Sequence, residues 1–429
     1  MTLLSADWVV PVEGEPIADG AVAIADGRIV SVGPASELGE GERFEGSAIV
    51  PGFVNAHSHL EYAVYAGFGD GRPFAPWIAT HIERKARIGI PEMEAIARLG
   101  AAECLASGIT TVADASYSGA AAVACAELGL RAIVYIEVFG ADTTQIVTRF
   151  EAHRDRISDA LSERVQLGIS PHSLYSASLE LWKAAAGLGL PMATHLAESD
   201  AEVEWLRHRR GPFAPVLGER IEPGSLQLLA DHGLLGDRLV AAHCVKVDAE
   251  EIGLLAEHGV AVAHCPRSNA LLGCGIAPLG ALHAAGVRVG LGTDSPASAL
   301  SFDMFDELRG AILAARAREE RADALSAPDA LELATLGAAR ALGLEREVGS
   351  LVPGKRADLA VVSLDRSRWL PWEDAPTAVV LGGTPERVLL TLVDGKPRYR
   401  KGEENEWHVL TAAAQSARAR LLSPLAAER

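Results

Sequence analysis

Cysteine is scarce in this sequence, and the few cysteines present are not spaced for a disulfide framework. There are five in 429 residues, which is an odd number, and none forms a Cys-x-x-Cys pair. This usage predicts reduced thiols in a cytoplasmic protein rather than disulfide bonds in a secreted one. The thiols are Cys104, Cys125, Cys244, Cys265 and Cys274.

Long apolar runs and an excess of basic residues are also missing. No segment approaches the roughly 18 uninterrupted apolar residues that a membrane-spanning helix needs. The first residues carry no basic segment followed by an apolar run, and Asp7 and Glu13 interrupt them, so we expect no signal peptide. The formal net charge is −18, whereas a nucleic-acid-binding surface is basic. We therefore expect a partner that is neither a membrane nor a nucleic acid.

Both ends of the chain have the pattern of short strands separated by turns. The pair Asp26-Gly27 between two alternating apolar segments is a strong hairpin signal. We predict that residues 1–50 and 346–408 together form one small β-sandwich domain, including a strand at Ala378–Leu381, and that residues 409–429 form a helical tail. The terminal domain and the tail would provide the surfaces of a homodimer.

Residues 51–345 alternate between strand-like apolar runs and helical segments, which is the signature of β/α units around a parallel sheet. Eight such units over about 300 residues predict a (β/α)8 barrel, the TIM-barrel fold of the α/β class. The predicted strands are Ile49–Val54, Thr110–Ala113, Ala132–Val138, Val165–Ile169, Pro191–Thr194, Leu239–Ala242, Val260–Ala263 and Val287–Leu291.

Polar side chains that can bind metals or move protons follow six of these strands. Random placement of 13 histidines would not put six of them at strand ends. Because barrel enzymes carry their chemistry at the carboxyl ends of the strands, we expect these residues to lie close together. They are His57, His59, His172, His195, Glu198, His243, His264 and Asp294.

The chemistry of this set is that of a metal-dependent hydrolase. His57 and His59 are two residues apart on a strand, so their imidazoles point to the same side. Three imidazoles and a carboxylate suit Zn²⁺ or Fe²⁺ and leave a position for water, whose pKa such a metal lowers. Glu198, three residues beyond His195, is placed to carry a proton, and His243 to hold the nucleophile or polarise the electrophile.

The chain resembles the amidohydrolase superfamily, in the branch that contains adenosine, guanine and cytosine deaminases and triazine chlorohydrolases. The resemblance covers the whole chain. It implies that His57, His59, His195 and Asp294 bind the metal and that Glu198, His243 and Asp294 are catalytic. The motifs that carry it are Pro51-Gly52-Phe53-Val54-Asn55-Ala56-His57-Ser58-His59, His195…Glu198, His243, Ala263-His264-Cys265-Pro266, Gly292-Thr293-Asp294-Ser295 and Gly349–Leu359.

The number of metal ions follows from a missing residue. Many superfamily members hold two ions bridged by a carboxylated lysine after the fourth strand. Neither Val165–Ile169 nor Ser170–Ser178 contains a lysine. We therefore predict one divalent ion, zinc first and iron as the alternative.

The resemblance implies hydrolytic deamination of an aminated heteroaromatic small molecule. Leu60-Glu61-Tyr62 and Phe74–Trp77 are similar to the aminodeoxyfutalosine deaminases of menaquinone biosynthesis, so 6-amino-6-deoxyfutalosine is the first substrate to consider. S-adenosylhomocysteine, methylthioadenosine and adenosine come next, followed by guanine, pterin or triazine substrates. Glu61, Trp77 and His172 are the candidate substrate-binding residues, although Glu61 could instead orient the histidine pair and Trp77 could belong to a helix core.

Other interpretations have less support. A Gly-x-Ser-x-Gly elbow is absent, and Cys265 precedes Pro266 with no second cysteine in the register of the cytidine-deaminase type. An inactive amidohydrolase scaffold that serves as a binding protein remains the alternative of another class. The other histidines are expected to be solvated: His81, His153, His208, His232, His258, His283 and His408.

Overall fold

The computed structural model describes residues 1–39, 41–217, 224–365, 374–403 and 407–423. Its strands are β1 (Thr2–Val9), β2 (Ile17–Ala25), β3 (Arg28–Pro34), β4 (Glu42–Pro51), β5 (Phe53–Ser58), β6 (Ile109–Ser116), β7 (Arg131–Val138), β8 (Val165–Pro171), β9 (Met192–Leu196), β10 (Leu239–His243), β11 (Ala261–His264), β12 (Val289–Leu291), β13 (Leu359–Ser363), β14 (Val388–Val393) and β15 (Lys396–Arg400).

The α-helices of the same residues are α1 (Ala35–Leu38), α2 (Phe74–Lys85), α3 (Ile90–Ala106), α4 (Ala120–Leu128), α5 (Thr143–Arg156), α6 (Leu179–Gly187), α7 (Asp200–His208), α8 (Ala214–Leu217), α9 (Leu226–Asp231), α10 (Ala249–Glu257), α11 (Pro266–Leu271), α12 (Leu279–Ala284), α13 (Pro296–Ala299), α14 (Met304–Glu319), α15 (Ala327–Leu333), α16 (Leu336–Ala341), α17 (Ala375–Gly382) and α18 (Trp407–Leu422). Short 3-10 helices cover Leu60–Tyr62, Ser158–Ala160 and Pro385–Arg387. Within the described ranges, no helix is both long enough and apolar enough to cross a membrane.

The eight strands β5 to β12 form one sheet in sequence order, and the paired neighbours are parallel. Strands such as β6 and β7 are buried along their whole length, because helices cover one side and barrel side chains fill the other. The sheet closes where the Asp294 N–H donates to the His57 carbonyl at 3.0 Å. Gly292 permits this approach, since a Cβ there would lie 2.8 Å from the His57 nitrogen. The predicted barrel is confirmed.

The two ends of the chain combine, as predicted, and their strands form one mixed sheet in the order β15-β14-β13-β4-β1-β2-β3. In this sheet β1 and β4 are parallel, whereas β13 pairs antiparallel with β4 and so joins the C-terminal segment to the N-terminal one. The domain limits at 1–50 with 346–408, 51–345 and 409–429 stay predictions.

Two predicted strands differ from the structure. The run Ile49–Val54 is divided at Gly52, because β4 belongs to the terminal sheet and β5 opens the barrel. Ala378–Leu381 lies in helix α17, whose start Asp374 caps by accepting from the Thr377 N–H. A short apolar run is compatible with a buried strand or a buried helix, so its pattern alone could not distinguish them.

A buried ionic contact fastens the terminal sheet to the barrel. Arg131, the first residue of β7, is bidentate to Asp358 at 2.8 and 3.2 Å and also reaches Asp394 at 2.6 Å. The side chains of Arg131 and Asp358 are 7% and 1% exposed. Loss of Arg131 would leave the buried Asp358 carboxylate without a cation, and loss of Asp358 would leave the buried guanidinium with Asp394 alone in place of two carboxylates.

We expect Asp358→Ala to lower the free energy of unfolding by about 3–5 kcal/mol, the usual effect of breaking a buried ion pair. Urea denaturation followed by circular dichroism measures it. The control is Asp155→Ala, which breaks an exposed contact with Arg154 and should leave the midpoint unchanged. A change of less than about 1 kcal/mol for Asp358→Ala would contradict the role of this contact.

Candidate metal centre and active site

The barrel gathers the polar strand-end residues at one end. His57 lies in β5 and His59 comes just after it, His195 lies in β9, and Asp294 comes three residues after the end of β12. Donor atoms of His57, His59 and His195 all lie within 4.8 Å of one another. Asp294 Oδ1 is 3.7 Å from His57 Nε2 and 3.5 Å from His59 Nε2. The four predicted ligands therefore converge on one point.

The hydrogen bonds of the imidazoles point their lone pairs into this space. His59 Nδ1 lies 2.7 Å from the Ala115 carbonyl, and His195 Nδ1 lies 2.9 Å from the His172 carbonyl. A carbonyl only accepts, so Nδ1 carries the proton in both rings and Nε2 carries a lone pair. These two Nε2 atoms are 3.2 Å apart and cannot bond each other without a proton. Nε2 of His57 is buried and has no hydrogen-bond partner. A cation satisfies all three nitrogens.

The charge states also suit a metal. Burial lowers the pKa of His59 to about 4 and the pKa of His57 well below its usual value, so both rings stay neutral at pH 7. Burial opposes ionisation of Asp294, but His243, His59 and the hydroxyls of Ser268 and Ser298 outweigh it and hold its pKa below the usual value. Neutral imidazoles and an anionic carboxylate are the forms that bind a metal. The chain thus contains a histidine-rich metal-binding site.

Glu198 and His243 face each other beside this site, with Glu198 Oε2 3.7 Å from His243 Nε2. Burial, then the charges of Asp294 and Glu202, raise the pKa of Glu198 well above its usual value. His243 Nδ1 lies 3.0 Å from Asn269 Oδ1, and the amide oxygen accepts its proton, which leaves Nε2 free to accept. Burial lowers the pKa of His243 to about 4. Glu198 can therefore hold a proton, and His243 beside it is a neutral base.

The backbone is strained at the residues that carry this chemistry. Ala197, His243 and Asp294 have φ angles of 49°, 72° and 56°, in the left-handed region that favours glycine. Each such residue costs about 1–3 kcal/mol and persists only where its surroundings fix it. Near Ala197 that support includes Glu202, a fully buried carboxylate that accepts from the Ala197 and Glu198 N–H groups at 3.0 and 2.8 Å.

A cavity of about 360 Å³ opens beside the metal-binding residues. Two predicted substrate-binding residues, Trp77 and His172, line it, as do Glu198, His243 and Asp294. His264 is buried next to His243 but does not line this cavity.

The structure does not bring Glu61 to the cavity lining. Its carboxylate instead accepts from the Ser118 and Ala120 N–H groups and from the Ser116 and Ser118 hydroxyls, at the start of α4. These donors fill its acceptor sites, so the geometry does not favour substrate binding by Glu61. The same geometry does not support the alternative that Glu61 orients the histidine pair.

The cavity residues that sequence reasoning missed include a histidine, a carboxylate and an ammonium group. His81, expected to be solvated, is 5% exposed because it packs against Trp77 with ring centroids 4.3 Å apart. Glu137 and Lys85 also line the cavity. Burial raises the pKa of Glu137 to about 8, against the opposing charge of Lys85. An acidic residue that follows the apolar run Ala132–Val134 within the buried strand β7 was the available signal, since buried strands rarely hold an unpaired carboxylate.

Comparison with known proteins identifies the family. A model of the amidohydrolase family matches residues 48–398. The chain belongs to the amidohydrolase family. It is 35% identical over 410 residues to the 5-methylthioadenosine/S-adenosylhomocysteine deaminase of Moorella thermoacetica, covering 92% of this chain and 93% of the relative. It is 34% identical over 397 residues to the 5′-deoxyadenosine deaminase of Methanothermobacter thermautotrophicus, covering 90% of each.

A crystal structure gives the same result. An adenosine deaminase from Xanthomonas campestris with bound zinc superposes with a TM-score of 0.87 at 30% identity and covers 98% of each chain. The predicted family resemblance and fold are confirmed. This amidohydrolase is a hydrolase that acts on carbon–nitrogen bonds.

We expect the purified protein to hold roughly one divalent ion per chain, because its four convergent donors form a single site. His57→Ala should lower the ion content severely, since it removes a donor that has no other partner. Elemental analysis after dialysis measures the stoichiometry. His283→Ala, at an exposed histidine of α12, is the matched control. Two ions per chain, or an unchanged content in His57→Ala, would contradict the prediction.

Proposed function

We propose that the chain is a zinc-dependent hydrolytic deaminase of adenine nucleosides. The observation that carries the proposal is the Glu198–His243 pair placed beside the histidine and aspartate donors at one end of a cavity. The three relatives named above are deaminases of adenine nucleosides, and their names support the same reaction. Iron remains the alternative metal.

His57, His59, His195 and Asp294 would hold the ion. A divalent ion bound there acts as a Lewis acid and makes a water molecule acidic enough to serve as a nucleophile near neutral pH. Zinc is supported by the donor set and by the zinc in the Xanthomonas campestris enzyme.

Glu198 moves the protons of the reaction. Water adds to the ring carbon that bears the amine, and one of its protons passes through the Glu198 carboxylate to the adjacent ring nitrogen. The carbon–nitrogen bond to the amine then breaks, and the second water proton leaves with the amine as ammonia while a carbonyl forms. A buried carboxyl group with a raised pKa suits both steps, because it takes up a proton more readily than an ordinary carboxylate and can then pass it on.

His243 and Asp294 orient the attacking water. Asn269 holds the His243 proton on Nδ1, so Nε2 can accept a hydrogen bond from the water on the side of Glu198. Ser268 and Ser298 donate to Asp294 Oδ2 at 2.6 and 2.7 Å, which keeps Oδ1 towards the histidines. Because these groups are in place before substrate binds, little reorganisation is needed.

The shape of the site favours nucleosides that carry a substituent beyond the sugar. A second chamber of about 700 Å³ adjoins the catalytic cavity and shares Ile82, Lys85, Glu137 and Phe139 with it. We therefore propose methylthioadenosine and S-adenosylhomocysteine as the substrates to test first. The panel also includes 5′-deoxyadenosine, which carries no such substituent but is the substrate in the name of the Methanothermobacter thermautotrophicus relative. The adenine-type derivative 6-amino-6-deoxyfutalosine, the first choice from the sequence, belongs in the same panel.

The test is ammonia release from this panel and from adenosine by the metal-loaded enzyme. We expect turnover of at least one adenine nucleoside and a loss of about 10²–10⁴-fold in Glu198→Gln, because the amide cannot relay a proton. Glu180→Gln, on an exposed position of α6, should retain full activity. If a protein that contains its metal releases no ammonia from any nucleoside of the panel, the proposal is wrong. Guanine, pterin and triazine substrates would then be tested.

Glu202 should matter for kcat because it fixes the backbone of Glu198. Glu202→Gln presents an amide N–H₂ group to one of the N–H donors of Ala197 and Glu198, so we expect the loop that carries Glu198 to move. The value of kcat should then fall by about 10- to 100-fold, while KM changes little and the metal is retained. The matched control is Glu251→Gln, since Glu251 also accepts from a backbone N–H but at the start of α10. An unchanged kcat in Glu202→Gln would show that the loop is fixed by other contacts.

A further inference from the structure

Glu137 is a buried carboxylate that the deamination chemistry does not use. It lies near the end of β7, is 7% exposed and lines the catalytic cavity. Its Oε1 atom is buried and has no hydrogen-bond partner. Buried carboxylate oxygens without a donor are rare, because the lost hydration is not replaced. The structure therefore leaves a hydrogen-bond acceptor ready for a ligand.

A second metal ion does not explain this carboxylate. Donor atoms of Glu137, His172 and His195 lie within 4.8 Å of one another. However, His195 donates its Nδ1 proton to the His172 carbonyl, so it has one lone pair, which points to the first metal position. His172 Nδ1 is in contact with the Ser176 hydroxyl at 2.7 Å. Only Glu137 and one nitrogen of His172 remain, and two donors do not make a closed site.

The position of Glu137 indicates which part of a substrate it meets. Glu198, His243 and Asp294 line only the catalytic cavity, where the reacting ring must lie. Glu137 lines both this cavity and the adjoining chamber. Glu137 therefore lies at the boundary between the space for the reacting ring and the space for the substituent of that ring. In a nucleoside, that substituent is the sugar.

Lys85 supplies a hydrogen-bond donor at the boundary between the cavity and the chamber. Its ammonium group lies 3.0 Å from the Tyr62 hydroxyl and 3.7 Å from the centre of the Tyr117 ring, and it lines the same two spaces as Glu137. A carboxylate only accepts hydrogen bonds and an ammonium group only donates them. A hydroxyl group does both, so it can bridge the two.

We propose that Glu137 accepts a hydrogen bond from a ribose hydroxyl of the substrate, with Lys85 as the neighbouring donor, and so selects ribonucleosides over deoxynucleosides. The inference rests on the proposed function and adds a specificity residue to it.

The experiment is run above pH 8, where Glu137 is ionised, and compares kcat/KM for the best adenine nucleoside of the panel with kcat/KM for its 2′-deoxy and 3′-deoxy analogues. The wild-type enzyme should discriminate against at least one analogue by about 10- to 100-fold, as for a hydrogen bond to a charged group. In Glu137→Gln, kcat/KM for the ribonucleoside should exceed kcat/KM for that deoxy analogue by no more than about threefold. The reason is that activity on the ribonucleoside drops while activity on the analogue is retained. Lys85→Met should reduce the ratio in the same direction, and it decides the question if Glu137→Gln does not fold.

Glu202→Gln is the matched control, since it makes the same change at a buried carboxylate that does not line the cavity. It should lower kcat for all three substrates equally. The inference is wrong if the wild-type enzyme treats the three nucleosides alike, or if the folded Glu137→Gln enzyme loses activity equally on all three. Absence of any turnover by the metal-loaded wild-type enzyme would instead overturn the proposed function, and the inference with it.

Discussion

The convergence of uncharged imidazole lone pairs in one buried space is the constraint on which the rest of this structure depends. Burial keeps His57 and His59 neutral, and backbone carbonyls on the Nδ1 side of His59 and His195 direct the free nitrogens inward. Such an arrangement is unfavourable without a cation, so the protein must impose it through rigid strands. The barrel does so by closing β12 onto β5, which brings Asp294 to the histidine pair.

Much of this site could be predicted from the sequence because parallel strands end at a common edge. Polar residues that follow successive apolar runs must then be neighbours, whatever the details of the helices between them. This reasoning placed His195, Glu198, His243 and Asp294 correctly relative to one another. It needed neither side-chain conformations nor loop structures, and it tolerated errors of several residues in the strand limits.

The residues that sequence reasoning missed depend on information of another kind. Glu137 lies within a strand rather than after it, and His81 lies in a helix whose inner side is defined only by packing against Trp77. Glu61 is adjacent to the histidine pair in the chain, yet the turn at Leu60–Tyr62 directs its carboxylate to the start of α4. The left-handed conformation of Ala197 has no signal in residue type, because it depends on the hydrogen bond between its N–H and the buried Glu202 carboxylate.

Four side chains of the candidate site are held in part by a neighbouring β/α unit. Ala115 of the second unit fixes His59 of the first, His172 of the fourth fixes His195 of the fifth, and Asn269 of the seventh fixes His243 of the sixth. Ser268 of the seventh unit likewise holds Asp294 of the eighth. Recombination that exchanged one β/α unit between related barrels would therefore also remove contacts that hold the side chains of a neighbouring unit. The units of such an enzyme are thus not independent modules.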